Sequence, residues 1–112
     1  MAVRRSYTAI VERNVLWQGE FASEPYEAAW ASEAIFFVRA LRGKAAIATK
    51  AYVQISADGM HWVNEGTTIE FPQKAGQVTF CKVKHFGGFL RIRGKTPRDT
   101  SIVLLVSLAL KE

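Results

Sequence analysis

The sequence predicts an all-β fold: a single-domain antiparallel β-sandwich or jelly roll of about eight strands. The first observation is composition, because 49% hydrophobic and 22% charged residues in a chain of 112 fit one globular domain over residues 1–112. The second is punctuation, because three prolines and eight glycines divide the chain at short intervals, as turns do in all-β domains. The third is the alternation of apolar and polar residues in several segments, which is the period of a half-buried strand.

The clearest strand is Ala51–Ser56, in which valine and isoleucine alternate with glutamine and serine. Asp58 and Gly59 follow at once, and this dipeptide favours a tight turn because Gly accepts a positive φ and Asp can bond its own backbone. A short return strand is expected to carry Trp62, buried beside the valine and isoleucine of the first strand. The segment therefore predicts a β-hairpin with an aromatic side chain over the core.

Further strands are expected at residues 67–71, 77–86, 89–93 and 101–110, separated by proline- and glycine-containing turns. In the last segment Ile102, Leu104, Val106, Leu108 and Leu110 share one face. Val103, Leu105 and Ala109 make the other face apolar as well. A strand that is apolar on both faces is either central and covered twice, or covered on one side by another subunit.

Residues 25–41 fit two interpretations. As a helix, the segment would have Ser23 as N-cap and Pro25 in its first turn. As strands, residues 26–30 and 34–41 would be separated by a short connection. The run Ile35–Val38 is β-branched and aromatic on both faces, and this favours strand over helix although the alanines favour helix.

No constellation of residues predicts catalysis, a metal or another cofactor. The two histidines are 24 positions apart, and the single Cys81 excludes an intramolecular disulfide. Cys81 and His85 would lie about 13 Å apart along a strand, too far for a nucleophile and its base. The N-terminal residues lack the apolar stretch of a secretion signal, and no apolar run approaches the roughly 18 residues of a membrane span. We therefore expect a non-enzymatic protein, made in the cytoplasm, without a membrane span.

Charge is segregated along the chain, whose net charge is +5. Residues 74–98 carry basic side chains without an acidic one, whereas residues 12–33 carry five glutamates against one arginine. Alternation places Lys82 with Lys84, and Arg91 with Arg93, so two adjacent strands could present one basic stripe, continued by Lys95. Such a stripe fits single-stranded nucleic acid or the acidic surface of a neighbouring subunit; segregated charge favours the second, and nucleic acid is the less favoured partner.

A family resemblance concerns the hairpin Ser56-Ala57-Asp58-Gly59-Met60-His61-Trp62. Together with Gly88–Arg93 and the apolar last strand, it resembles the galactose-binding-like (discoidin-type) jelly-roll domains over residues 50–110. The resemblance implies a β-sandwich that binds glycans or lipid head groups through loops at one end. The ligand-binding candidates that it implies are His61, Trp62, Phe86 and Phe89. The chain departs from that family in being short and in lacking a secretion signal and a disulfide.

The function predicted first is a non-catalytic structural module that forms a homo-oligomer or docks on a larger particle, such as a phage capsid-decorating or tail-associated component of the virion. The evidence is the strands that are apolar on both faces, since one sandwich core can cover only one of these faces. The candidate interface residues are Ile35, Phe37, Val103, Leu105 and Ala109. The alternatives are a carbohydrate-binding module and, after it, a single-stranded nucleic-acid-binding protein.

Overall fold

The computed structural model describes residues 5–44, 49–84, 86–96 and 101–112, and in these residues every regular element is a β-strand. The predicted all-β fold is confirmed. The strands are β1 (Ser6–Trp17), β2 (Glu20–Ala22), β3 (Tyr26–Glu27), β4 (Glu33–Lys44), β5 (Lys50–Ser56), β6 (Val63–Glu70), β7 (Val78–Lys84), β8 (Phe89–Lys95) and β9 (Ser101–Lys111).

The strands form two antiparallel sheets. Sheet A has the order β1-β9-β4-β7, and sheet B has the order β2-β8-β5-β6 with β3 also paired to β8. β2 and β3 pair with successive parts of β8, so they act as one strand interrupted around Pro25, which has no backbone N–H to donate to a ladder. Counted in this way the fold is an eight-stranded jelly roll, in agreement with the number of strands expected from the sequence.

The core lies between the two sheets and is built by strict alternation. On β9 the even-numbered residues from Ile102 to Leu110 are fully buried, as the pattern predicts. Leu90 and Ile92 of β8 and Val53 of β5 contribute the opposite layer, also fully buried. The other fully buried large side chains among the described residues are Phe36, Val38, Ile69 and Val83. At one end of the core the ring of Trp17 stacks on that of Phe21 with centroids 3.9 Å apart.

Residues 25–41 form strands, and the helical alternative is wrong. β4 lies between β9 and β7 in sheet A, so hydrogen-bonded strands flank it on both sides. Its buried residues, Ala34, Phe36, Val38 and Ala40, alternate with more exposed ones, which is the period of a strand. The first expected strand shortens to Tyr26–Glu27, and the second lengthens to Glu33–Lys44.

Two differences from the expected strands have local causes. The return strand after Asp58 and the strand at residues 67–71 are one continuous element, Val63–Glu70, with a register shift opposite β5. β1 and β2 were not expected at all. β1 contains two register shifts, and Asn14 adopts a left-handed φ of 57° within the second. Such bulges interrupt the apolar–polar alternation from which strands are read.

Candidate functional site

The five basic residues predicted to form one stripe lie on opposite sides of the sandwich. Lys82 and Lys84 share the outer face of β7 in sheet A, whereas Arg91, Arg93 and Lys95 share the outer face of β8 in sheet B. Each set shares a face, as alternation predicts, but the chain crosses from one sheet to the other between β7 and β8. The single stripe is therefore wrong, and the nucleic-acid alternative loses the surface on which it depended.

The outer surface of sheet A carries an apolar patch, called here the apolar face. Its exposed members lie on three strands: Ile10 on β1, Phe37 on β4, and Val78 and Phe80 on β7. Phe37 and Phe80 are cross-strand neighbours whose ring centroids are 6.2 Å apart, and the side chain of Phe80 is 58% exposed. Two neighbouring aromatic rings in contact with solvent are unusual on a surface that has no partner.

The predicted interface residues lie on or beside this apolar face. Phe37 is exposed; Ile35, Leu105 and Ala109 are half-buried, and Ile35 and Ala109 are cross-strand partners. Val103 differs, because it is buried between its neighbours on β1 and β4 and has only 6% of its surface exposed. The exposed part of the patch therefore lies on β1, β4 and β7, and the outward-facing residues of β9 between β1 and β4 are more covered.

The turn after β5 is organised by Asp58. Its carboxylate accepts hydrogen bonds from the backbone N–H groups of Met60 and His61 and from the Ser56 hydroxyl, and it lies 2.6 Å from Nδ1 of His61. These bonds hold the pKa of Asp58 well below its usual value, led by the backbone N–H of His61. Hydrogen bonding to Asp58 in turn raises the pKa of His61. Asp58 thus shapes the predicted exposed turn, in which Gly59 has a φ of +79°.

Trp62 does not pack beside Val53 and Ile55, and the expectation of a largely buried plug is wrong. It is half-buried, and the guanidinium carbon of Arg91 lies 4.2 Å from the centre of its ring. Nε of Arg91 donates a hydrogen bond to the side-chain oxygen of Gln54, and this side chain faces outward from β5. Trp62, Arg91 and Gln54 therefore lie together on the outer side of sheet B. The contact with Arg91 holds the indole on the outer, polar face of sheet B. The alternation of apolar and polar residues does not predict this placement.

The four ligand candidates implied by the resemblance do not converge. His61 is exposed at the turn, and the outward-facing ring of Phe89 packs near Gly59 in the same region. Phe86, in contrast, packs against the core. A depression of about 540 Å³ adjoins the turn and is lined by residues 55–57 and 87–88, with His61 and Val63. It exposes none of the four aromatic or imidazole candidates except His61.

A second cleft, which the sequence analysis did not identify, lies at one end of the sandwich and is called here the aromatic cleft. It has a volume of about 530 Å³ and is lined by Arg5, Ser6, Tyr7, Tyr26 and Trp30. The guanidinium of Arg5 lies 5.5 Å from the ring centre of Trp30 and donates two hydrogen bonds to the carboxylate of Glu112. The separate aromatic residues gave no signal, since only the pairing of β1 and β3 into their sheets brings them together.

The described residues contain no cluster of three His, Cys, Asp or Glu side chains that could hold a metal ion. Cys81 is buried, and burial raises the pKa of its thiol to about 11, so it is not an activated nucleophile. In the part of the chain that the structure describes, no helix could cross a membrane.

The geometry defines a jelly-roll β-sandwich with one apolar outer face, and comparison with known proteins supports the fold. No family model and no curated protein matches the sequence. Among solved structures, the SPBc2 prophage-derived protein YomS is similar with a TM-score of 0.62 and 2% identity, over 100% of this chain and 97% of that one. The PBSX exported protein XepA gives 0.57 and 12% identity, over 96% of this chain and 36% of that one. A chain of infectious bursal disease virus gives 0.50 and 11% identity, over 96% and 32%. At these identities the likeness shows the shared fold alone.

Proposed function

We propose that this protein is a non-catalytic structural module that self-associates, as part of a phage-like particle. The observation that carries the proposal is the apolar face, where Phe37 and Phe80 present adjoining rings to solvent. A soluble monomer gains nothing from such a patch, whereas an interface buries it and gains hydrophobic stabilisation. Arg39 and Lys82 lie next to the two rings on the same outer face, and Lys84 follows further along β7, opposite Glu33. The surface that complements the rings should therefore be acidic.

An acidic surface of this kind lies at the opposite edge of the same molecule. Glu24 and Glu27 are exposed at the edge that β2 and β3 form, and Glu12 of the nearby β1 accepts a hydrogen bond from the backbone N–H of Glu24. Glu20 is exposed on β2, where its cross-strand partner is Lys95. β7 is the far edge of sheet A. Glu65 and Glu70 lie on β6 of sheet B, so the basic surface is confined to the sheet A side of that edge.

Opposite charge on opposite edges favours head-to-tail association of identical copies. A contact between two different surfaces of the same chain is heterologous, and repeated copies then close into a ring or continue as a filament. Two copies meeting through the same basic face would instead place like charges opposite one another, which is unfavourable. In this arrangement the acidic and the basic surfaces, which are separate along the sequence, form the two sides of one repeating contact.

The experiment is a charge exchange followed by light scattering after size exclusion. The pair Lys82→Glu and Lys84→Glu should reduce the association constant, as should Glu24→Lys with Glu27→Lys. Combining both pairs should restore association, because the two surfaces then complement one another with reversed signs.

Lys50→Glu is the matched control, since it reverses an exposed lysine on β5, an inner strand of sheet B that belongs to neither surface. A wild-type protein that stays monomeric at every concentration overturns self-association. An oligomer that ignores every charge reversal overturns the head-to-tail arrangement.

The fold that this chain shares with the prophage-derived protein YomS and the PBSX exported protein XepA supports the association with a phage-like particle. Jelly rolls are also a common architecture of viral capsid proteins. We expect the chain to sediment with intact particles from its host in a density gradient and to be identified there by mass spectrometry. Recovery only in the fraction of unassembled soluble proteins would contradict a role in the virion.

A further inference from the structure

The aromatic cleft is formed where the two sheets separate at one end of the sandwich. Tyr7 pairs with Leu110 in sheet A, and Tyr26 pairs with Leu90 in sheet B, and both leucines face the core. Directly paired residues share a face, so the two tyrosines project into the gap between the sheets from opposite sides. Trp30, in the connection between β3 and β4, completes the wall.

The rings in this cleft remain accessible to solvent. Tyr7 is 56% exposed and Trp30 is 38% exposed, although both stand beside core residues. Burial raises the pKa of the Tyr26 phenol, and the neighbouring Tyr7 raises it further, which agrees with two phenols that face one another. A cleft of about 530 Å³ lies within the range of roughly 300–1,000 Å³ that is usual for small-molecule sites.

Three polar groups of residues that line the cleft have no hydrogen-bond partner among the described residues. Neither the phenol groups of Tyr7 and Tyr26 nor the indole N–H of Trp30 makes a hydrogen bond to another described residue. Arg5, by contrast, directs Nε and Nη2 to one carboxylate oxygen of Glu112, at 3.0 and 2.8 Å. The cleft therefore offers hydrogen-bond donors and acceptors that are neutral. The charge of Arg5, the cation among its described lining residues, is compensated by the carboxylate of Glu112.

We propose that the aromatic cleft binds a neutral saccharide unit. A pyranose ring has an apolar face of C–H groups that packs on aromatic rings, and its hydroxyls both donate and accept hydrogen bonds, as the phenols and indole require. A cationic ligand is disfavoured because Arg5 already places a positive charge beside Trp30, and an anionic ligand would compete with Glu112 for Arg5. This site is independent of the apolar face and of self-association.

The test begins with an immobilised array of neutral and acidic oligosaccharides, and the neutral ligand that binds is then titrated by calorimetry and tryptophan fluorescence. Trp30→Ala should weaken binding at least tenfold, because it removes both a stacking surface and an N–H donor. Tyr7→Phe should weaken it by less, since only the hydroxyl is lost. Tyr52→Ala is the matched control: it removes a tyrosine that is 46% exposed on the outer face of sheet B.

Thermal unfolding of each variant separates loss of binding from loss of folding. Tyr7→Phe should change the melting temperature little, since Tyr7 is 56% exposed, whereas Trp30→Ala should lower it without unfolding the chain, since Trp30 is 38% exposed. The proposal is overturned if no neutral oligosaccharide binds, if only acidic ones bind, or if an extended peptide binds instead. It is also overturned if Trp62→Ala removes binding while Trp30→Ala does not, since the ligand would then lie at the turn after β5. None of these outcomes depends on the oligomeric state of the protein.

Discussion

Replacing Phe80 with serine tests the role of the apolar face most directly. Phe80 is 58% exposed and projects away from the core, so its removal should leave the monomer folded. A phenylalanine side chain buries about 200 Å² when fully covered, so association would cover about 120 Å² of this ring. At about 25 cal/mol per Å² this amounts to about 3 kcal/mol, or about a 100-fold weaker association constant.

The assay is sedimentation velocity over a wide concentration range, with thermal unfolding measured in parallel. Tyr52→Ser is the control, because Tyr52 is a comparably exposed aromatic residue on the outer face of sheet B. Phe80→Ser should shift the distribution toward monomer with little change in melting temperature. An unchanged association constant would refute the interface, and unfolding of the isolated chain would show that Phe80 supports the sandwich itself.

Three further changes test other parts of the structure. Gly88→Ala should destabilise the fold by about 2–4 kcal/mol in chemical denaturation. Gly88 has a φ of +75°, and an added Cβ would meet the carbonyl oxygen of Ser56. An unchanged free energy of unfolding would contradict this conformation. Trp17→Ala should cost about 3–5 kcal/mol, since the ring is 2% exposed and stacked in the core, and a loss below about 1 kcal/mol would contradict that packing. Asp58→Asn should lower the pKa of His61 toward 6.5 in an NMR titration. In the wild type the Asp58–His61 ion pair stabilises the turn below pH 6.5, and this stabilisation is lost as the pH rises through the raised pKa of His61. A pKa of His61 that is the same in Asp58→Asn and in the wild type would exclude the ion pair.

The strands that the sequence predicts well are those whose inner face is marked by alternating apolar residues. On β9 and β5 the inner faces are correctly identified, although the outward-facing Val103 and Gln54 are buried as well. For residues 25–41, the run Ile35–Val38 outweighs the helix propensity of the alanines because both of its strand neighbours supply hydrogen bonds.

The features that could not be predicted depend on how the strands are placed in space. β7 and β8 are neighbours along the chain, which makes one basic stripe plausible from the sequence, but the chain crosses from sheet A to sheet B between these two strands. The aromatic cleft was missed for a related reason: Tyr7, Tyr26 and Trp30 meet only at the end of the sandwich. The sequence predicts a buried Trp62 because an indole is mostly apolar. No local sequence pattern shows that its ring instead contacts the guanidinium of Arg91.

The placement of β9 constrains when the protein can fold. β9 lies between β1 and β4, so Ser6–Trp17 has no sheet partner until residues 101–111 have left the ribosome. Sheet A therefore cannot assemble in step with synthesis, and pairing of the first strand with the last closes nearly the whole chain into a loop. Such non-local topologies fold slowly, on the order of milliseconds to seconds. During that interval the apolar segments of β4 and β9 are unprotected, so a chain that stalls before residue 101 should be a target for chaperones and proteases.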